Sequence, residues 1–342
     1  MDKYDVLKVV GRGQFGEVFK ARVKATGEIV ALKKIMQTKQ AGKKMGLDIT
    51  ALREIKLLKE LHSPNIVDLK DVFLHKKDIY LVLEFLEHDL EQVIKDVSLR
   101  LGEADIKGFM HAFLSALATC HEHWILHRDI KPNNLLITPD GDLKLADFGL
   151  SRIYGTPTRD YTHKVFAEWY RAPELLFGAR YYGPSVDVWG AGCVLAELLL
   201  RRPWMPGMDE IDQLGKIFQM LGTPTEQQWP GMTELPGYVE FHKTRAPALR
   251  TIFKDASDEA LELLAQMVQF DPNRRISAKD ALNHRFFTTA PLPTPPHKLP
   301  RPASKPREDE SAAIVGGADA LAGKKRKLAQ PSSPVSPLQM NE

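Results

Sequence analysis

The stretch HRDIKPNN, residues 127 to 134, places an acid, a base and an amide close together. Asp129 lies two residues before Lys131 and five before Asn134, and a further acid, Asp147, follows in ADFG. Transfer of a phosphoryl group needs oxygen ligands for Mg²⁺, an acceptor for a hydroxyl proton and positive charge near the phosphate. We predict Asp147 and Asn134 as the metal ligands. Asp129 would then accept the proton, and Lys131 would stabilise the transferring phosphate.

A glycine-rich segment near the N-terminus, GRGQFG, provides Gly11, Gly13 and Gly16. This spacing lets a backbone approach phosphates, but it also occurs in hairpin turns and in dinucleotide-binding folds. Because a strand-like segment, EVFKARV, follows it instead of a helix, the pattern favours a flap over nucleotide phosphates. Lys33, in VALKK, would reach those phosphates. Glu54 is the candidate carboxylate that orients the Lys33 side chain. The alternative for Glu54 is a solvated charge on the surface of a helix.

The order of predicted elements indicates the fold class. Residues 4 to 34 are typical of a small antiparallel sheet. Apolar residues at helical spacing, Leu52, Ile55, Leu58 and Leu61, predict one amphipathic helix from Ile49 to about Leu61. Two more strand patterns follow, and helical patterns dominate the chain after them. We predict an α+β fold of two lobes, with a small β-rich N-lobe that carries one regulatory helix and a larger, mainly helical C-lobe.

Composition excludes several classes of protein. The 342 residues include 47 Lys and Arg against 44 Asp and Glu, and a net charge of +3 is too small for the chain to act as a nucleic-acid-binding surface. The two cysteines lack the spacing of a metal site, and their small number favours a reducing compartment. The N-terminus has no long apolar region. We expect neither secretion, nor membrane insertion, nor direct binding of nucleic acid.

The composition changes after Phe287. Ten of the 23 prolines lie between Pro291 and Pro337, and large apolar residues become sparse. We predict that residues 288–342 form a disordered tail rich in Pro, Ser and Lys. The run KKRK at residues 324–327 predicts a nuclear-import signal, with a solvated charge cluster as the alternative. The expected location is the nucleus, with the cytoplasm as a second location.

HRDIKPNNLL followed by DFG and WYRAPE resembles the eukaryotic protein kinases, and the resemblance runs from about residue 4 to residue 287. It implies an N-lobe of residues 4–83, a hinge of residues 84–89 and a C-lobe of residues 90–287. It also implies serine/threonine kinase activity with ATP and Mg²⁺ as cofactors. The residues that it places against the nucleotide are Val10, Gly11, Gly13, Gly16, Val18, Ala31, Lys33, Glu84, Leu86, Asn134 and Asp147.

Three further polar residues are expected to hold the large lobe together without taking part in catalysis. Glu174 and Arg275 resemble a pair that this family forms within its C-lobe. Asp187, in VDVWG, resembles the family's buried helix-capping aspartate.

Other segments indicate the kind of kinase. DITALREIKLL, EFLEHDLEQVI and HWILHRDIKPNNLL resemble cyclin-dependent kinases, and in particular the plant-type activating branch that belongs to a general transcription and repair factor. That resemblance implies an H-type cyclin and a RING-finger assembly factor as partners. The implied substrates are the activation-loop Thr of other cyclin-dependent kinases and Ser of the RNA polymerase II C-terminal repeat. An orphan cyclin-dependent-like kinase is the alternative, and Ala167 and Glu168, which depart from the family pattern, motivate a pseudokinase scaffold as another.

Three arginines are candidates for a shared anion pocket, namely Arg53, Arg128 and Arg152. Three positive charges that are brought close together repel one another, and a bound anion would offset this repulsion. Phosphorylation of Thr162 would add about −1.5 to −2 charge, and we predict that Thr162 is the activating phosphosite. Thr156, which precedes a proline, is a second candidate, with a solvated turn threonine as the alternative.

Overall fold

A computed structural model describes residues 1–13, 16–35, 49–154 and 168–302 of the chain. Four features predicted above lie outside these ranges, namely Thr156, Thr162, Ala167 and the basic run at 324–327. The fold and the site are therefore built from the remaining residues.

The N-terminal part is a five-stranded antiparallel sheet with the order β1-β2-β3-β5-β4. Its strands and the helix α1 are β1 (Tyr4–Gly13), β2 (Gly16–Val23), β3 (Ile29–Ile35), α1 (Ile49–Glu60), β4 (Leu69–His75) and β5 (Asp78–Glu84). On one face of the sheet, Val30 and Leu32 are fully buried and pack in a cluster with Tyr4 and Tyr80. Lys33 follows Leu32 directly in β3, and because successive side chains of a strand alternate, it points to the opposite face.

Helix α1 has the limits that its apolar spacing predicts, but not the buried face. Leu57, Leu58 and Leu61 are buried, together with the carboxylate of Glu54. Leu52, which the spacing assigns to the apolar face, is 47% exposed. The helix is rotated so that Glu54 faces the protein interior and Leu52 faces outward.

The larger part is mainly helical. Its elements are β6 (His88–Asp89), α2 (Leu90–Lys95), α3 (Glu103–Glu122), β7 (Ile125–Leu126), β8 (Leu135–Ile137), β9 (Leu143–Leu145), β10 (Arg152–Ile153), α4 (Pro173–Leu176), α5 (Ser185–Leu200), α6 (Glu210–Leu221), α7 (Leu249–Ile252), α8 (Asp258–Met267), α9 (Ala278–Leu282) and α10 (Arg285–Thr288). Every residue of α5 from Val186 to Leu198 is buried. A helix that is apolar on all sides belongs in the centre of a core, and α3 and α8 pack against it.

Short strands position the polar loops. β8 begins directly after Asn134, and β9 ends shortly before Asp147. The two strands pair with Leu135 opposite Leu145, and this pairing brings the ends of the two loops together. β7 and β10 form a second pair, with Leu126 opposite Arg152.

The C-terminal segment differs from the prediction of a disordered tail from residue 288. The compact unit runs from Met1 to Ala303, and residues 289–302, here called the strap, pack against α3. Lys107 on α3 is fully buried and donates hydrogen bonds to the carbonyl oxygens of Thr289 and Pro291. Leu299 is only 4% exposed. A proline-rich segment loses little chain entropy on ordering, so a few backbone contacts and one buried leucine hold it in place.

Among the helices of the described ranges, none has both the length and the apolar character that crossing a bilayer requires.

Candidate active site

Lys33 lies at the centre of a buried ion cluster. Its Nζ is 2.7 Å from Glu54 Oε1 and 2.8 Å from Asp147 Oδ1. Burial alone would lower the pKa of Lys33, but the two carboxylates outweigh burial and raise this pKa above its ordinary value. The ammonium group therefore stays charged at neutral pH. The ion pair predicted between Lys33 and Glu54 is present, and it joins β3 to α1.

Asp147 is held in a special backbone conformation, with a positive φ of 64°. Its Oδ1 accepts hydrogen bonds from Lys33 and from the backbone amide of Gly149. Burial tends to raise the pKa of Asp147, but the charge of Lys33 outweighs it and holds this pKa below the usual range. Asp147 is therefore a carboxylate at neutral pH, and 37% of its side chain is exposed to an incoming ligand.

The groups predicted from HRDIKPNN come together on one loop. Asp129 Oδ2 accepts hydrogen bonds from Lys131 Nζ at 2.7 Å and from Asn134 Nδ2 at 2.8 Å. Asn134 Nδ2 also donates to the Asp129 carbonyl oxygen at 2.7 Å. Because the amide nitrogen makes both of these bonds, Oδ1 is the atom of Asn134 that can bind a cation. One carboxylate, one cation and one amide oxygen therefore meet at this loop.

Asp187 has a role that the sequence prediction did not give it. It does not cap a helix: its carboxylate accepts hydrogen bonds from the backbone amides of His127 at 2.8 Å and of Arg128 at 2.9 Å. The His121 ring lies 3.1 Å away on the same carboxylate. Burial would raise the pKa of Asp187, but His121, His127 and the loop amide outweigh it and lower this pKa. Asp187 thus fixes the backbone that carries Asp129.

Arg128 is buried beside the same loop with a positive φ of 67°. Its Nε donates to the Leu150 carbonyl oxygen and its Nη1 to the Tyr182 hydroxyl, both at 2.8 Å. Its Nη2 is buried and has no hydrogen-bond partner within the described part of the chain. A buried donor without an acceptor is costly, and an anion at this point would satisfy it.

The two other arginines of the predicted pocket lie on adjoining elements. Arg152 is in β10, which pairs with β7 directly before the catalytic loop, and its Nη1 donates to the Ser151 carbonyl oxygen. Arg53 lies on α1, and this helix packs against the turn Phe148–Leu150 that binds Arg128.

The predicted nucleotide-binding residues line up across the sheet. Gly11 pairs with Val18, and Ala31 pairs with Lys20, so β1, β2 and β3 present them side by side. The glycine segment joins two paired strands and does not open a helix, in agreement with the predicted flap. Gly16 has a φ of 148°, and a Cβ there would lie 1.9 Å from the Lys34 carbonyl oxygen, so no other residue fits. Val10 and Gly13 complete the β1 side.

At the predicted hinge, β5 ends at Glu84, and Leu86 follows it. Glu84 Oε1 accepts hydrogen bonds from Lys144 Nζ and from the Asp68 backbone amide, each at 2.7 Å. Sequence reasoning missed Lys144, and it also missed Tyr182, the partner of Arg128. Neither residue gives a sequence signal, because each becomes significant only through a contact with a distant part of the chain.

The structural pair predicted in the C-lobe is present. Arg275 binds Glu174 through two parallel hydrogen bonds of 2.8 and 3.0 Å. Both side chains are buried, and the guanidinium also stacks over Trp189. This pair ties α4 to the segment before α9, outside the polar cluster around Lys33 and Asp129.

Comparison with known proteins agrees with this geometry. Residues 4–287 match the family model of the protein kinase domain, and the chain belongs to the protein kinase family. The predicted two-lobed kinase fold is confirmed.

The similarity extends to a particular group of kinases. The chain is 56% identical over 304 residues to cyclin-dependent kinase D-1 of Arabidopsis thaliana, and the match covers 89% of this chain and 76% of that protein. It is 54% identical over 300 residues to cyclin-dependent kinase 7 of Xenopus laevis, covering 88% and 85% of the two chains. A solved structure of the CAK complex from Chaetomium thermophilum bound to ATP-gamma-S matches with a TM-score of 0.81 and 43% identity, covering 88% of this chain and 96% of that chain. The chain is a serine/threonine kinase of the cyclin-dependent family, in the group of kinases 7 and D-1.

Proposed function

We propose that this kinase transfers the γ-phosphoryl group of ATP to the activation-loop Thr of other cyclin-dependent kinases and to Ser of the RNA polymerase II C-terminal repeat. The observation that carries the proposal is the assembly of Lys33, Asp129, Asn134 and Asp147 in one structure. The choice of substrates rests on similarity to kinases 7 and D-1 and to a CAK complex bound to ATP-gamma-S.

Lys33 is the residue that would contact the nucleotide phosphates. It has two carboxylate partners, so phosphates can replace Asp147 while Glu54 continues to hold the ammonium group. The residues of β1, β2 and β3 described above would cover the rest of the nucleotide, with Glu84 and Leu86 at its far end.

Asn134 and Asp147 fit a magnesium ion. Asp147 Oδ1 is used by Lys33 and Gly149, which leaves Oδ2 for a cation, and Asn134 would supply Oδ1. Two protein oxygens suit Mg²⁺, because this ion keeps several waters and takes substrate phosphates as further ligands. In the described ranges, no group of three or more His, Cys, Asp or Glu side chains could hold a metal ion. Bound here, Mg²⁺ would neutralise charge on the phosphate oxygens.

Asp129 would orient the substrate hydroxyl and accept its proton. The hydroxyl oxygen forms a bond to the γ-phosphorus, the bond from that phosphorus to the bridging oxygen of ADP breaks, and the proton passes to the Asp129 carboxylate. Lys131, 2.7 Å from this carboxylate, would stabilise the negative charge of the transferring group.

Partners and location complete the proposal. An H-type cyclin would dock on α1, where the exposed Leu52 supports a partner surface, and a RING-finger assembly factor would join the complex. Phosphorylated Thr162 would bind the pocket of Arg53, Arg128 and Arg152, and the buried Nη2 of Arg128 supports such an anion. Thr156 is the second candidate phosphosite. The run at 324–327 would direct the kinase to the nucleus.

Neither alternative is favoured by a specific observation. A pseudokinase scaffold has no need for the assembled polar cluster, and the similarity to kinases 7 and D-1 separates the chain from an orphan kinase.

The test is phosphate transfer from radiolabelled ATP by the purified kinase bound to its cyclin. Two substrates are compared, an inactive cyclin-dependent kinase and a polymerase-repeat peptide. We expect labelling of both, and a loss of about 10²-fold or more with Asp129→Asn, because proton transfer by a positioned side chain contributes at least that much. Labelling of neither substrate by a complex that phosphorylates a generic peptide would contradict the proposed substrates.

A further inference from the structure

The strap, residues 289–302, is held on α3 by a network of polar contacts. Lys107, fully buried, bonds the carbonyl oxygens of Thr289 at 3.0 Å and of Pro291 at 2.9 Å, and pairs with Glu103 at 2.9 Å. Leu299 inserts its side chain nearby and is 4% exposed. The first half of α3 is therefore covered by a segment that lies after the kinase domain in sequence.

Thr294 is the point where the strap meets the first turn of α3. Its backbone amide donates to the Ala104 carbonyl oxygen at 2.8 Å, and its hydroxyl donates to Asp105 Oδ1 at 2.7 Å. The other oxygen of Asp105 accepts the Gly102 amide at 2.9 Å. At Gly108, a Cβ would lie 2.6 Å from the Thr294 carbonyl oxygen, so the two backbones are in direct contact.

Thr294 also lies in a sequence that can be modified. It is followed directly by Pro295, and Pro295, Pro296 and the nearby Leu292 are exposed. Thr294 itself is partly exposed. A partly exposed threonine followed by proline, outside any helix or strand, is the kind of sequence that proline-directed kinases accept.

We propose that Thr294 is a phosphorylation site for a proline-directed serine/threonine kinase and that its phosphorylation releases the strap from α3. In the reaction, the Thr294 hydroxyl oxygen forms a bond to the γ-phosphorus of ATP, ADP leaves, and the hydroxyl proton is lost to the modifying enzyme. The modified side chain can no longer donate to Asp105.

Charge decides the direction of the effect. A phosphothreonine carries about −1.5 to −2 charge at neutral pH. Asp105, in contact with the hydroxyl, brings a further negative charge, while the charge of Glu103 in the same turn is offset by Lys107. The N-terminus of α3 offers only about half a positive charge in return. Repulsion between the phosphate and Asp105 therefore outweighs attraction to the N-terminus of α3, and the strap dissociates from α3. Leu299 and the carbonyl groups that bind Lys107 then become exposed.

The experiment uses the full chain, incubated with ATP and a recombinant proline-directed kinase until an added Thr-Pro peptide is fully modified. Mass spectrometry locates the phosphate, and amide hydrogen exchange is then followed for the strap. We expect phosphate on Thr294 and at least tenfold faster exchange within the strap. Absence of phosphate from Thr294 would overturn the proposal, as would exchange that is unchanged or slower, since slower exchange would mean capture by the helix N-terminus.

Two variants control for other causes. Thr294→Val loses the hydrogen bond to Asp105 without gaining charge. The backbone amides of its strap should therefore exchange only slightly faster than those of the unmodified chain. Exchange as fast as in the phosphorylated chain would show that charge is not the cause, and would contradict the proposal. Thr223 also precedes a proline, but its hydroxyl donates to the neutral carbonyl oxygen of His242. Thr223→Val should leave the response of the strap to phosphorylation unchanged.

Discussion

Asp187 positions the catalytic loop, although it is distant from that loop in sequence. Its two oxygens hold the amides of His127 and Arg128, which directly precede Asp129. A carboxylate is the one side chain that can accept from both amides and from His121 at once. The geometry of Asp129 therefore depends on a residue in the first turn of α5.

We predict that Asp187→Asn lowers the free energy of unfolding at pH 7 by about 3 kcal/mol, because it removes one partner of a buried charge cluster. The pKa of Asp187 is lower in the folded chain than the value of about 3.9 for an unfolded Asp. Its contribution to stability is then present above about pH 4 and is lost as the pH falls below that value. Urea unfolding should show the gap between variant and wild type narrowing on acidification. A gap that stays constant down to pH values well below 4 would refute this.

The negative charge of Glu54 can be removed with little change in side-chain shape by substitution with glutamine. In Glu54→Gln, Lys33 keeps its contact with Asp147 but loses its other carboxylate. A hydrogen bond to a charged group contributes about 1.5–3 kcal/mol, so we predict a fall of about 10- to 100-fold in kcat/KM for ATP. Steady-state kinetics with a peptide substrate measures it. Glu60→Gln, on the exposed end of the same helix, is the matched control and should have little effect.

Elements differ in how far the sequence predicts them. Helix α5 can be predicted from the run SVDVWGAGCVLAELLL, residues 185–200, because this run is mainly apolar and contains no proline. Helix α6 went unpredicted, although Asp209 caps it and Leu214, Ile217 and Phe218 bury one face. An N-cap and an amphipathic pattern are both present in the sequence, so α6 could have been predicted from it.

The strap could not be predicted from local sequence, because its stability comes from contacts distant along the chain. Lys107 and its carbonyl partner on Thr289 are 182 residues apart. A proline-rich composition predicts that a segment cannot form a hydrophobic core of its own, and this is correct for the strap. The composition does not show that another element, here α3, offers a surface on which the segment can pack. The same limit explains why the polar residues of HRDIKPNN and DFG were predicted as a site while Lys144 and Tyr182 were not.

Gly108 tests the packing of the strap. Alanine favours a helix over glycine by about 1 kcal/mol, but in Gly108→Ala the new Cβ would lie 2.6 Å from the Thr294 carbonyl oxygen and 2.9 Å from Leu299. We predict net destabilisation of about 1–3 kcal/mol, the usual effect of overpacking. Thermal unfolding measures it.

Gly215 on α6 is the matched control, since a Cβ there meets no atom within 4 Å. Gly215→Ala should raise stability by about 1 kcal/mol. Equal effects of the two substitutions would mean that the strap does not press on α3.

The molecule as a whole brings the site together from both parts of the fold. Lys33 and Glu54 come from β3 and α1, whereas Asp129, Asn134 and Asp147 come from loops around β8 and β9. Arg128 lies between these groups and the turn at Leu150. An anion that binds Arg128 would therefore influence the arrangement of the entire site.

We predict that Thr162→Val lowers the activity of the cyclin-bound kinase, because no phosphate can then satisfy the buried Nη2 of Arg128. A phosphate that makes one or two charge-assisted hydrogen bonds is worth about 1.5–3 kcal/mol each, which corresponds to a loss of about tenfold or more. Activity and thermal stability of the purified complex measure the effect. Full retention of both would show that Thr162 is not the activating site.

The most direct test of the account is calorimetric titration of the cyclin-bound kinase with ATP, with and without Mg²⁺, in the wild type and in Asp147→Asn. If Asp147 and Asn134 hold the metal beside the phosphates, Mg²⁺ should tighten ATP binding in the wild type, and this gain should disappear in the variant. Equal tightening by Mg²⁺ in both proteins, or no uptake of ATP by the wild type, would contradict the account.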